Sequence, residues 1–304
     1  MKLYKRAAAL VLTAATILSL VPPVSAEDEH ITISSAKEFY ALVQSCTRDV
    51  WSQGVTVELT ADLDLSGSDF QPIPIFQGTF HGNGHTIRGI TYDHKGSTLG
   101  LFRTLTESAV VENLSVEGLL EPQGSASQLG LLAGENYGTI RSCSAKGTVS
   151  GQEDVGGLVG VNGETGRIEG SSSQAQISGV TNVGGIAGQN LGTLDQCINT
   201  GTLNSDPDQE IPTSVGGIAG LSRGTIQSCS NSGEIGYQHL GYNMGGIVGL
   251  QSGSVLQCSN TGQVWGRKDV GGIVGQFEPN ADVTYGDSPM DRLNNSLAAL
   301  FDEM

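Results

Sequence analysis

Aromatic residues are scarce in this chain: Phe, Tyr and Trp make up 5% of its 304 residues. A compact enzyme-sized core built on stacked rings is therefore not what this sequence encodes. Basic residues are scarce as well, with 15 Lys and Arg against 31 Asp and Glu. An acidic chain of that kind disfavours nucleic acid and anionic lipid as partners and favours solubility. Past residue 26 no run reaches the roughly 18 apolar residues that a membrane-spanning helix needs. None of the five histidines falls near the recurring cysteines, which argues against zinc. No Ser/His/Asp or Cys/His arrangement stands out from background.

Glycine is what the chain has in quantity, 44 residues of it, and it recurs in order. Between Leu129 and Gln276 six similar phrases open on LGLLAG (Leu129), VGGLVG (Val155), VGGIAG (Val183 and Val215), MGGIVG (Met244) and VGGIVG (Val270). The period is 26 to 32 residues. Self-similarity at that period signals stacked supersecondary units, each too thin to bury its apolar side alone. In the fourth copy, Gly217–Gly220, Thr225–Ser228 and Glu234–Gly236 read as three short strands of one coil, repeated in parallel register on the next. Six coils at about 4.8 Å each make a rod of roughly 29 Å, with two or three more coils expected from residues 55–128. The longer segments Asn204–Thr213 and Tyr237–Asn243 should bulge from one side.

Residues 1–26 read as a secretory signal peptide. Lys2, Lys5 and Arg6 precede an apolar run from Ala7 to Val21, and Val24-Ser25-Ala26 fits a cleavage site. Its removal leaves 12 basic and 31 acidic residues, a net charge of −19. Ser35-Ala36-Lys37-Glu38 is a capping box, and Phe39, Leu42, Val43 and Cys46 follow at helical spacing. That short helix is the natural cap for the first coil. The spans Ile31–Ile33, Val55–Leu59, Leu63–Leu65 and Val110–Val116 read as strands, and Gly78–Ile87 as strand, Asn-Gly turn, strand. After Phe277 the repeats stop: Glu278–Pro289 is a linker, and Leu293, Leu297, Leu300 and Met304 begin an amphipathic seam. The pattern breaks off in mid-helix, so the end reads as that of a fragment, or else as a C-terminal cap.

Cys143, Cys197, Cys229 and Cys258 occupy one slot in four repeats, three residues after Ile140, Leu194, Ile226 and Val255, with Ser171 in the same slot of another. In a secreted chain this invites a disulfide framework. Side chains of parallel neighbours run alongside rather than toward each other, so unbridged ladder cysteines are expected; a Cys229–Cys258 bridge is the alternative. Asp62–Gly67 matches the first half of a calcium loop, but Ile73 stands where a bidentate Glu belongs. His81 and His85 flank a turn and are expected to be merely solvated. Glu153-Asp154 and Lys268-Asp269 are repeat-edge pairs whose slots hold Thr181-Asn182 and Thr213-Ser214 in between, too far apart to act together. No catalytic, metal or cofactor residue is expected.

The series Gly-Gly-[Leu/Ile]-[Val/Ala]-Gly, Gly-x-Ile-x-x-Cys, Gly-x-[Val/Ile/Leu], best seen in Val183–Leu203, resembles the GLUG-motif repeat of bacterial extracellular proteins. The segment Phe76–Ile87 resembles the stretch that leads into such repeats. The resemblance implies a right-handed parallel β-helix on large secreted or wall-attached proteins, some adhesin-like and some attached to IgA-cleaving metallopeptidases. No His-Glu-x-x-His and no Leu-Pro-x-Thr-Gly sorting motif is present. The expectation is thus an all-β, right-handed parallel β-helix (β-solenoid) with a short N-terminal helical cap. Its parts are a signal peptide (1–26), cap and first coils (27–128), six repeats (129–277), and a linker with the start of an amphipathic helix (278–304). The expected role is a secreted or cell-surface adhesin-like binding or stalk module, with no catalysis of its own, facing a host or cell-wall glycan or protein. A β-helix carbohydrate-active enzyme, a polysaccharide lyase or glycoside hydrolase, is the alternative.

Overall fold

The computed structural model describes residues 30–279 apart from 49, 68 and 209; the signal peptide, nearly all of the 278–304 segment and its apolar seam lie outside the described residues. The described residues coil into a parallel β-solenoid with one short helix among them, Ala36–Ser45. The first coils visit three sheets, and each coil from residue 127 onward visits four in turn. Sheet D runs over six rungs from Ser127–Leu129 to Lys268–Gly271, and sheet C over eight from Ile73–Phe76 to Val274–Phe277. Sheet A has nine rungs from His30–Ile33 to Ser254–Leu256, and sheet B eight from Leu63–Asp64 to Ser259–Asn260, one of them split into Ser172–Ser173 and Gln176–Ser178. Three of the sheet A rungs fall in residues 55–128, as the repeat arithmetic anticipates.

Two details differ from the sequence reading. The glycine run is not one strand but the bend between two: in the fourth copy Thr213–Gly216 belongs to sheet D and Ala219–Ser222 to sheet C. The third strand expected at Glu234–Gly236 shrinks to a single parallel bridge at Ile235, between Leu203 and Val264. The glycine run bends because sheet C packs closely against sheet D. A Cβ on Gly188 would be driven into the Asp154–Val155 backbone of the preceding coil, and one on Gly220 into Asn182–Val183. Only glycine lets two sheets meet backbone to backbone.

Corners are built from left-handed residues, and mostly not from glycine. Between sheets A and B stand Asn83, Asn113, Ser142, Gln196, Ser228 and Gln257, each with φ of 52–53°. Asn113 thus breaks the expected Val110–Val116 strand into Val110–Glu112 and Ser115–Leu120. A single left-handed non-glycine residue costs about 1 kcal/mol, offset here by the stack that fixes it.

The interior is a set of ladders. In sheet A, Val57, Phe80, Val111, Ile140, Ile168, Leu194 and Ile226 align rung over rung, and each is fully buried. The first coils are filled by Phe76, Phe80 and Phe102, whose rings lie 5.4 to 6.1 Å apart. Later coils use Val, Ile and Ala. At the sheet C end, Asn136, Asn162 and Asn190 replace Phe76 and Leu105 in a buried column. Each amide donates to the next, at 2.8 Å from Asn136 to Asn162 and 2.9 Å from Asn162 to Asn190, and Asn190 ends on Ser222 at 3.1 Å. Gln251 follows in register, fully buried, with neither amide atom partnered. The helix is capped by Ser35, buries Phe39, Leu42 and Val43, and lies against Ile73–Phe76, the edge strand of sheet C. It covers an edge that would otherwise present open backbone groups.

Cys143, Ser171, Cys197, Cys229 and Cys258 do form one ladder, and all five cysteines of the chain are unbridged. The Cys143 backbone N–H donates to Ser171 Oγ at 3.1 Å, as the Cys197 N–H does to Cys229 Sγ at 3.3 Å.

Two stability predictions follow from this packing. Gly188→Ala should lower stability by about 3 kcal/mol, because a Cβ overpacks two backbones, whereas Gly272→Ala, whose Cβ meets nothing within 4 Å, should stay within about 0.5 kcal/mol. Urea midpoints measure both. Gln251→Met removes an orphaned amide and should be neutral or stabilising by about 1 kcal/mol, while Asn162→Leu strands its neighbours and should cost about 2 kcal/mol. Equal losses for the two variants would refute the ladder assignment.

Candidate functional site: the charged outer faces

With the interior consumed by ladders, chemistry is confined to the outer faces. On sheet A the register stacks Glu58, His81, Glu112, Arg141 and Glu169 in one column. Acids alternate with a histidine or an arginine along it. His81 Nδ1 lies 2.9 Å from Glu112, Arg141 bridges Glu112 at 3.3 Å and Glu169 at 3.4 Å, and Arg167 holds Glu169 at 2.7 Å. These pairs are half-exposed, so each is worth at most about 1 kcal/mol. Arg167, then Arg141, holds the Glu169 carboxyl below its ordinary value. The next rung places Asp195 beside Glu169, with one carboxylate oxygen buried and unpartnered.

His81 and His85 are therefore not simply solvated, as their turn position suggests. Each is paired across a rung, His85 with Asp62 at 3.2 Å. Asp62 also accepts from the Thr86 N–H, which with His85 keeps its carboxyl low. Asp64 accepts from the Ser66 hydroxyl and N–H and from Arg88, and its carboxyl is held down to about 2. The half calcium loop is thus occupied by the chain's own donors, with Leu63 and Leu65 buried as core residues. Among the described residues no group of three or more His, Cys, Asp or Glu is arranged to hold a metal ion.

Glu153 and Lys268 do share one column of sheet D, but Thr181, Thr213 and Tyr242 separate them. They are not brought together. Asp154 is half-buried at φ 52° and accepts from Asn182 at 2.9 Å, and burial pushes its carboxyl upward. The Glu112–Arg141–Glu169 cluster is what sequence reasoning missed. Its signal was the shared slot of Thr139-Ile140-Arg141 and Arg167-Ile168-Glu169, readable only once the register was known.

On sheet B two adjoining cavities of about 270 and 350 Å³ open to solvent and share Glu117. Hydroxyls of Thr86, Ser115 and Ser144 line one, and Asp64, Arg88 and Leu119 line the other. Together they form an open trough along the rod, lined by polar groups and by the apolar Ile90 and Leu119.

Burial pushes the Cys143 thiol up to about 12. At pH 8 a thiolate fraction on the order of one in ten thousand remains. Native Cys143 should therefore resist iodoacetamide that labels it promptly in urea, as mass spectrometry of the tryptic peptide will show. Fast native labelling would mean the ladder opens.

The GLUG motif matches residues 125–150 and 151–178, each span being one coil of the rod from its sheet D strand to its sheet B strand. Halomucin of Haloquadratum walsbyi is 34% identical over 145 residues, which are 42% of this chain and 2% of halomucin. A candidate Gly-rich membrane protein of Evansella cellulosilytica is 35% identical over 96 residues, 30% of this chain and 11% of that protein. The chain thus spans only a small part of either relative. Among solved structures, a candidate immunoglobulin A1 protease from Bacteroides ovatus superposes with a TM-score of 0.53 at 20% identity, over 84% of this chain and 79% of its own; this likeness is one of fold. Among the described residues no helix is long and apolar enough to cross a membrane. Two adjacent coils of the parallel β-solenoid, residues 125–150 and 151–178, are thus GLUG motifs.

Proposed function

We propose that the protein is an exported, surface-displayed binding or stalk module, adhesin-like, with no catalytic role of its own. One observation carries this reading: apart from Gln251 and one oxygen of Asp195, the polar groups described above hold the chain to itself, mostly rung to rung. The buried amides bond to one another, and the outer carboxylates of Asp62, Asp64, Glu112 and Glu169 are each engaged by a histidine, arginine, hydroxyl or backbone N–H. A catalytic carboxylate needs freedom to exchange its proton with substrate. A rod of this kind presents long faces and few pockets, which suits display. The likeness to halomucin, and to a relative named for a membrane, supports a place at the cell surface.

The second reading, a carbohydrate-active enzyme, is favoured by the Glu112–Arg141–Glu169 cluster alone. Two carboxylates two rungs apart, roughly 10 Å of rise, with a guanidinium between them, approach the spacing of an inverting pair. A depolymerisation screen over uronate and neutral glycans, with and without calcium, separates the readings. No turnover, together with saturable binding of residues 27–304 to isolated cell walls or mucin-coated surfaces, is expected. Turnover that disappears in Glu169→Gln would overturn the binding reading. Expression in a bacterial host from Met1 should give exported protein whose N-terminus is Glu27. Retention of the full chain in the cytoplasm would remove the surface placement.

A further inference from the structure

From residue 129 onward the described aromatics are Tyr137, Tyr237, Tyr242, Trp265 and Phe277, and none of them is buried. Three gather at one corner, where sheet B hands over to sheet D in the last coils. Rung-to-rung bonds define the juxtaposition. Tyr242 N–H donates to Pro212 O at 3.0 Å, Trp265 N–H to Ile235 O at 2.8 Å, and Arg267 N–H to Gly241 O at 2.9 Å. Ile211, Tyr237, Tyr242 and Trp265 thus form one patch across three coils, with Ile211 and Tyr237 exposed at 48% and 40%.

The solenoid does not need these side chains. The column that holds Tyr242 carries Glu153, Thr181 and Thr213 in earlier coils. The position of Trp265, directly after the bridged Val264, is Ser178 after Ile177, Asn204 after Leu203 and Gly236 after Ile235. Large amphipathic rings at slots where small residues suffice are the composition of a recognition surface. The rings are also held in place. Trp265 Nε1 donates to Glu234 at 3.0 Å, and the Arg267 guanidinium stands 5.9 Å over the Tyr242 ring.

We propose that this corner binds the saccharide units of a linear polysaccharide, which deepens and rests on the binding-module reading. A pyranose offers an apolar C–H face and a rim of hydroxyls. The indole and phenol faces take the first, and the Glu234 carboxylate and Arg267 guanidinium, already fixed beside them, take the second. A free small ligand requires a pocket that buries most of its surface, and the cavities described above lie elsewhere, along sheet B. An open, flat patch on the side of a rod suits a polymer that extends beyond it. The patch runs across three coils, about 10 Å along the axis, which spans about two sugar units.

The test is affinity electrophoresis of residues 27–304 in gels containing β-glucan, xylan, mannan or polygalacturonate, with tryptophan fluorescence titration alongside. At least one polymer should retard the protein and perturb its fluorescence. Trp265→Ala and Tyr242→Ala should each weaken that binding tenfold or more, Trp265→Phe should keep it within threefold, and Tyr137→Ala, outside the patch, should leave it unchanged. Circular dichroism confirms that the variants remain folded. Retardation unaltered in Trp265→Ala would sink this site while leaving a binding module in place. Failure of every polymer would sink the saccharide assignment. Loss of binding to a protein-coated surface in Trp265→Ala, without retardation by any polymer, would reassign the corner to a protein partner.

Discussion

Everything in this rod depends on the backbone contact between sheets C and D. The Gly-Gly-x-x-Gly bend brings two strands so close that a Cβ on Gly188 or Gly220 has no room. Once that contact is made, the cross-section is too narrow for rings, and Val159, Ala187, Ala219 and Val248 fill what remains. The scarcity of aromatics and the abundance of glycine are one fact seen twice. Phe76, Phe80 and Phe102 occur in the interior of the first coils, before the glycine run begins.

A second constraint follows from parallel stacking: every side chain faces its own counterpart about 4.8 Å away. Apolar columns gain from this, and so does asparagine, whose amide donates at one end and accepts at the other. Charge is penalised unless its sign alternates. In the sheet A column each acid from Glu58 to Glu169 has a histidine or an arginine on a neighbouring rung, and the pattern breaks at Asp195, where a carboxylate oxygen is left buried and unpartnered. Gln251 is the comparable fault in the amide column, one methylene too long to continue the Asn-to-Ser series.

The period, the cysteine column and the capping helix were legible because each is written locally or in simple repetition. Ser35 with Glu38, and Phe39 with Leu42 and Val43, need only helical spacing to be read. The split of the glycine run into two strands was half legible: the small Gly and Ala positions of GGIAG fit a tight bend, but its place within the run is imposed by a neighbouring coil. Left-handed corners at Gln196, Ser228 and Gln257 were hidden. These residues have little local preference for that conformation, and the stack selects it. The ion pairs of His81 and Arg141 join residues about thirty positions apart, so they appear only when the register is known to the residue.

A repeat architecture also constrains where function can reside. Residues that recur at the coil period are claimed by the stack: they fill the core, turn the corners or bond to the next rung. Selection for binding has its freest hand at slots where a coil departs from its neighbours without structural reason. The paired charges of sheet A fail that criterion, because the stack itself explains them. The cavities on sheet B pass only in part, since their hydroxyls at Ser115 and Ser144 bond to each other at 2.8 Å. Tyr237, Tyr242 and Trp265 pass fully: no neighbouring coil has a ring at those slots, and the core beneath them is already closed by Met244 and Ile235. On a scaffold whose regular residues are occupied with one another, the irregular ones are where an outside partner finds groups free to meet it.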